Sequence, residues 1–179
     1  MKKKNNLVWI DLEMTGLDLA KEGIIEIATI ITDGELHILA EGPNLIIHQP
    51  ERLLAKMDRW NRRQHAKSGL AEQVRKSKVS VAKAEKLTLD FVKRYCLPRK
   101  SPLCGNAVHH DRSFIAKYMP RLNRYLHYRH IDVSTLKTLV KLWHPKEKRP
   151  PKKKDSHRAL SDIRESIEEL RFYQKYYFK

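Results

Sequence analysis

Leu7-Val8-Trp9-Ile10-Asp11-Leu12-Glu13 is the stretch on which the fold turns. It alternates and is rich in β-formers, so it reads as a strand. Two carboxylates two residues apart on a strand leave the same face. In an otherwise apolar strand, ionised Asp11 and Glu13 are costly unless something cationic neutralises them. Either they lie at a solvent-facing strand end and bind nothing, or they hold a hard divalent cation such as magnesium or manganese. Met14-Thr15-Gly16-Leu17-Asp18 then leaves the strand as a turn or loop. Ile24 to Thr32 is a second apolar run with β-branched residues. Asp33-Gly34 is a hairpin signal before Leu36-His37-Ile38-Leu39-Ala40. Gly42-Pro43 marks a turn or bulge, beyond which Leu45-Ile46-Ile47-His48 extends the third strand. The first third therefore reads as a three-stranded antiparallel meander.

From Glu51 to Lys93 the pattern turns helical, with Leu87, Phe91 and Tyr95 recurring along one face. Pro98 and Pro102 end that helix and lead into a short strand, Leu103 to Asn106. A helix follows from about Asp111 to Tyr118, interrupted or restarted at Pro120. Tyr128 to Val133 reads as a further strand. Ser134 is placed to cap a helix through Leu136, Leu139, Val140 and Trp143. Pro145 to Asp155 is a Pro- and Lys-rich loop, and a last helix begins near Ser156 with Leu160, Ile163, Ile167 and Leu170 as its stripe. Strands first and helix–strand alternation after them give an α/β layer fold with a mixed sheet, in a single domain over 1–179.

The length of 179 residues suits one packed core. No apolar run approaches the roughly 18 residues of a membrane span. The basic N-terminus leads into a strand-like run rather than a signal-peptide stretch, so the expected location is cytoplasmic. Cys96 and Cys104 lack metal-site spacing and are expected to be buried reduced thiols. The formal charge of +16 favours encounter with a polyanion without identifying one.

Three further residues bear on the Asp11–Glu13 pair. Asp111 opens a helix after the Leu103–Asn106 strand, where a single Asp is ordinarily a cap. His157 and Asp162 flank the start of the last helix, and at about 100° per residue they would not share a face on one continuous helix. The expectation is that His157 sits in the loop or first turn and leans over, while Asp162 projects from the helix.

The set Asp11-x-Glu13, Asp111 and His157-x-x-x-x-Asp162 resembles the DEDDh class of 3′–5′ exonucleases, and within it the oligoribonuclease family. The likeness extends through Trp9 to Asp18, Ile24 to Thr29, Ile38 to Pro43, Lys100 to Asn106, Lys117 to Pro120, Leu126 to Arg129, Asp132 to Lys137 and Asp162 to Ser166. This resemblance implies an RNase H-like core, a mixed five-stranded sheet flanked by α-helices. It implies a homodimer acting on short RNA oligonucleotides down to dinucleotides. Two divalent ions, Mg2+ or Mn2+, would be held by Asp11, Glu13, Asp111 and Asp162, with His157 as general base. Met14, Leu17, Trp60, His65, Tyr128, Arg129 and Ser134 would bind substrate. Leu17 would act as a wedge between bases, Trp60 and His65 would lie against the 3′ nucleotide, and Tyr128 would reach in from the partner subunit. Arg129 and Ser134 would stand near the 5′ phosphate.

Without the resemblance, Trp60 reads as a buried helix residue. Ala107 stands where the family commonly carries a small hydroxyl residue, and His109 and His110 replace residues that are usually not imidazoles. Lys146 to Lys154 reads as a solvated basic loop. Two other functions share these motifs: a DNA-trimming exonuclease, and a catalytically silent nucleic-acid-binding relative. The second is disfavoured by the presence of all four acidic residues and the histidine.

Overall fold

The computed structural model describes residues 5–144, 146, 148–151 and 158–178. Three strands form the expected meander: β1 (Leu7–Met14), β2 (Ile24–Thr32) and β3 (Ile38–Ile46), paired antiparallel in succession. Beyond four helices, α1 (Glu51–Leu54), α2 (Arg59–Lys67), α3 (Leu70–Lys76) and α4 (Val81–Tyr95), comes β4 (Leu103–Gly105). It lies parallel to β1. Helices α5 (His109–Tyr118) and α6 (Pro120–Tyr125) lead to β5 (His130–Asp132), parallel to β4. Helices α7 (Val133–Trp143) and α8 (Ala159–Tyr177) follow. The sheet is mixed and five-stranded, in the order β3-β2-β1-β4-β5, with β1 at its centre.

The alternation of β1 divides the core. Val8, Ile10 and Leu12 enter one cluster with Leu89, Phe91 and Val92 of α4 and Phe114 and Ile115 of α5. Trp9 enters the other, with Ala28 and Ile30 of β2 and Ala159, Ile163, Ile167 and Tyr173 of α8. A smaller cluster seats Leu54, Met57, Leu70 and Val74 under Ile25. The odd-numbered face of β1 therefore looks toward α8, and that face also carries Asp11 and Glu13.

Several local readings are corrected and others resolved. The Asp33-Gly34 turn is longer than a two-residue hairpin. Asp33 Oδ1 accepts from the backbone N–H groups of Glu35 and His37, both at 2.9 Å, and the strand resumes only at Ile38. Leu36, read as strand, is a buried turn residue at φ 68°. Gly42-Pro43 is a bulge, since Ala28 pairs with Asn44 but Ile30 with Glu41. A Cβ on Gly42 would fall 2.4 Å from the Phe91 ring, so the bulge lets α4 settle on the strand. Along α4, Leu87 is exposed, and the buried face instead runs through Ala84, Thr88, Leu89, Phe91 and Val92. Pro120 restarts the chain as α6. Asp132, rather than Ser134, caps α7: its carboxylate accepts from Ser134 N–H at 2.9 Å, a charged acceptor at a helix N-terminus. Trp143 is 68% exposed. Cys96 and Cys104 are free and buried, as expected. Among the described residues no helix is long and apolar enough to cross a membrane.

Candidate active site

Three carboxylates from two distant parts of the chain converge at the α8 side of the central strand. Asp11 and Glu13 rise from β1, and Asp162 descends from the first turn of α8; one oxygen from each lies within 4.8 Å of the others. A shift in register between Glu13 and Met14 breaks the β1–β2 ladder just where the strand leaves this cluster. Asp111, from the first turn of α5, is not one of the three. It is buried beside them, and its Oδ1 accepts from Leu12 N–H at 2.9 Å. That bond explains why a strand residue and a helix residue 99 positions apart are held together.

The acidity of these groups shows what the arrangement calls for. Burial, then the charges of Asp111, Glu13 and Asp162, push Asp11 well above the usual carboxylate range. Burial, then Asp162 and Glu26, push Glu13 up to about 8. Burial pushes Asp111 up to about 7 even though its bond to Leu12 N–H opposes the rise. Carboxylates that repel one another out of water ionise together only when cations join them. An all-oxygen donor set of this kind fits hard divalent cations.

A cleft of about 490 Å3 opens beside Glu13, lined by Met14, Gly16, Leu17, Asp58, Trp60 and Asn61 as well. Leu17 and Trp60 are 60% and 58% exposed across it. Trp60 is thus a surface aromatic and not the buried helix residue that its sequence context alone suggests. The loop bearing Leu17 is closed by Thr15, whose N–H donates to Gly23 O at 3.0 Å and whose hydroxyl bonds Glu22. His65 is buried and does not line the cleft; its Nε2 donates to Met14 O at 3.0 Å, fixing the strand end that forms the cleft wall.

The remaining residues lie at the β4–β5 end of the sheet. Ser134 Oγ accepts from Ala107 N–H at 2.8 Å and meets Asn106 Oδ1 at 3.1 Å, while Asn106 Nδ2 donates to Ser166 Oγ at 2.8 Å. These bonds tie β4, α7 and α8 together and hold Ala107 at φ 49°, a left-handed conformation uncommon for a residue with a Cβ. Tyr128 is 72% exposed, with the Arg129 guanidinium 5.3 Å from its ring centre. His157, expected near the carboxylates, lies outside the described residues, as do Pro145, Glu147, Lys152 to Lys154, Asp155 and Ser156.

With this geometry in place, the likenesses to known proteins decide the family. A family model described as an exonuclease matches residues 8–170. An oligoribonuclease from Pseudomonas aeruginosa is 54% identical over 179 residues, covering 100% of this chain and 99% of that one. The chain belongs to the oligoribonuclease family. An oligoribonuclease from Coxiella burnetii is 55% identical over 170 residues, covering 95% of this chain and 93% of its own. Among solved structures, Escherichia coli exonuclease I bound to an oligonucleotide superposes with a TM-score of 0.75 at 16% identity. It spans 98% of this chain, which in turn spans 42% of that structure, and the likeness confirms the RNase H-like exonuclease fold. Family membership makes the chain a 3′–5′ exoribonuclease, a hydrolase of phosphodiester bonds.

Sequence reasoning passed over two residues that the structure brings to this site, Glu26 and Arg158. Glu26 lies opposite Glu13 on β2, fully buried, and Arg158 pairs with it at 3.1 Å. Their trace was a single charged residue in the apolar run Ile24–Thr32.

Proposed function

We propose that the chain degrades short RNA oligonucleotides, down to dinucleotides, to nucleoside 5′-monophosphates in the cytoplasm, using two divalent ions per site, Mg2+ or Mn2+. The observation that carries this reading is the meeting of Asp11, Glu13 and Asp162 within 4.8 Å, with Asp111 bonded to the same strand. Asp11, Glu13 and Asp162 would hold the metal, and Asp111 would bind it directly or through water. When bound, divalent cations make a water nucleophilic at neutral pH and stabilise charge on the leaving 3′ oxygen.

The protein's own groups do the rest. His157 acts as general base, taking the proton of the attacking water. Its assignment rests on the family pattern, and full turnover by His157→Ala at neutral pH would remove it. Leu17 and Trp60 line an apolar slot beside Glu13, suited to a base plane without regard to sequence. Met14 forms the slot's wall, and His65 supports it from behind through the Met14 carbonyl.

At the other end of a dinucleotide, Arg129 and Ser134 would meet the 5′ phosphate and the partner's Tyr128 would cover a base in a homodimer. Support for that dimer comes from family membership and from the exposure of Tyr128, Leu142 and Trp143 on one chain. Such a cover favours short substrates, because a longer strand would run into it. Ala107 offers no hydroxyl to that phosphate. A competition assay between a ribo- and a deoxyribo-dinucleotide tests the substrate class. Preferential release of ribonucleoside 5′-monophosphates is expected. Equal or faster deoxynucleotide release would make the protein a DNA-trimming exonuclease.

A further inference from the structure

Glu26 is the one charged residue of β2, and it is fully buried. Its cross-strand partner is Glu13, so the two carboxylates leave the same face of the sheet, the face under α8. Arg158, immediately before α8, grips it as a fork. Nη2 donates to Oε1 at 3.1 Å and Nε approaches both oxygens at 3.3 Å, while Ala159 N–H reaches Oε2 at 3.5 Å. The Glu26 charge acts on both Asp11 and Glu13, and that of Arg158 acts on Glu13 in the opposite sense. A buried carboxylate in this position would otherwise be a fifth negative charge in the cluster.

We infer that the Glu26–Arg158 pair is a charge-balancing device for the metal centre, in which the guanidinium cancels the fifth carboxylate and sets the affinity of the four ligands for divalent cations. This rests on the two-cation reading above. Both are positioning residues, because they act through the neighbouring carboxylates. The device gives the two halves of the pair opposite effects. Losing the Glu26 charge leaves an uncancelled cation beside the ligands and weakens metal binding. Losing the Arg158 charge leaves an uncancelled anion and strengthens it.

The test is a calorimetric titration of the metal-free full chain with Mn2+, followed by turnover of a diribonucleotide across metal concentrations. Glu26→Gln keeps an acceptor for Arg158 and should weaken Mn2+ binding by roughly tenfold, the scale of one charge moved within a partly buried site. Arg158→Gln should tighten it by a similar factor. Arg158→Lys and the doubly neutral variant should both stay within about threefold of wild type. A purely architectural salt bridge would give losses of the same sign in both single variants, with the double no better, and that pattern overturns the inference. Breaking a buried pair can cost roughly 3–5 kcal/mol, so Glu26→Gln could fail to fold. Arg158→Gln against Arg158→Lys then decides, and equal affinities would reject the device. A silent wild-type titration overturns the two-cation reading and this inference with it, whereas wild-type binding with unshifted variants overturns this inference alone.

Discussion

The two faces of β1 obey opposite rules. Val8, Ile10 and Leu12 enter the apolar cluster beneath α4 and α5. Trp9, Asp11 and Glu13 point the other way, and only the first of them behaves as a core residue. The same eight-residue strand thus stores stability on one side and repulsion on the other. Burial drives both. It rewards Ile10 by removing it from water and penalises Asp11 for the same reason. A catalytic face can be this unfavourable only because the opposite face secures the strand.

That contrast can be broken at several points. The largest effect is expected at Asp162→Asn, which should lower turnover on a diribonucleotide by on the order of 10³-fold while raising the melting temperature in chelator by a few degrees. A variant that lost activity and metal-free stability together would erase the distinction between the faces. Ile10→Ala should do the reverse, costing about 2–5 kcal/mol in denaturant unfolding and leaving the Mn2+ affinity of the folded fraction within about twofold. Trp60→Ala should raise KM by roughly ten- to a hundredfold, the value of one base–aromatic stack, with kcat and metal affinity little changed. A fall confined to kcat would instead make Trp60 part of the chemistry.

The smallest effect is a pH dependence with a definite sign. Glu13 sits at about 8 against an ordinary 4.5, and Asp111 at about 7 against 3.8. Carboxyls raised on folding bind protons more tightly in the native state, so their stabilisation is present at low pH and disappears as pH rises through the native values. The metal-free melting temperature should fall by a few degrees between about pH 5.5 and about pH 8.5, and saturating Mn2+ should flatten the slope. A metal-free profile that rises over this window would contradict the repulsion assigned to the cluster.

The sequence was most legible where periodicity and burial agree. The meander, the apolar face of β1 and the two free thiols follow from alternation and composition. The Asp11–Glu13 pair could be read because two carboxylates stand out in an apolar strand. Their meeting with Asp162 could not be read from spacing, because it depends on how α8 crosses the sheet, and only the family likeness anticipated it. Ser134 was misassigned as a cap because both it and Asp132 carry suitable oxygens, and local sequence does not say that Ser134 is engaged by Ala107 and Asn106. Leu87 was misplaced for a related reason. A four-residue row drifts around a helix of 3.6 residues per turn, and α4 instead buries the face that packs Phe91 against Gly42. Glu26 carries no local signal of its role, since its meaning depends on Arg158, 132 residues away.

We propose that Asp11, Glu13, Asp111 and Asp162 work only when divalent cations are bound there. The most direct test of this claim is a time course of wild-type protein on a 5′-labelled diribonucleotide with Mg2+, with Mn2+ and with chelator. The expected result is nucleoside 5′-monophosphate with either ion, none in chelator, and recovery when the ion is restored. Undiminished release in chelator, from protein shown to be metal-free, would contradict the account.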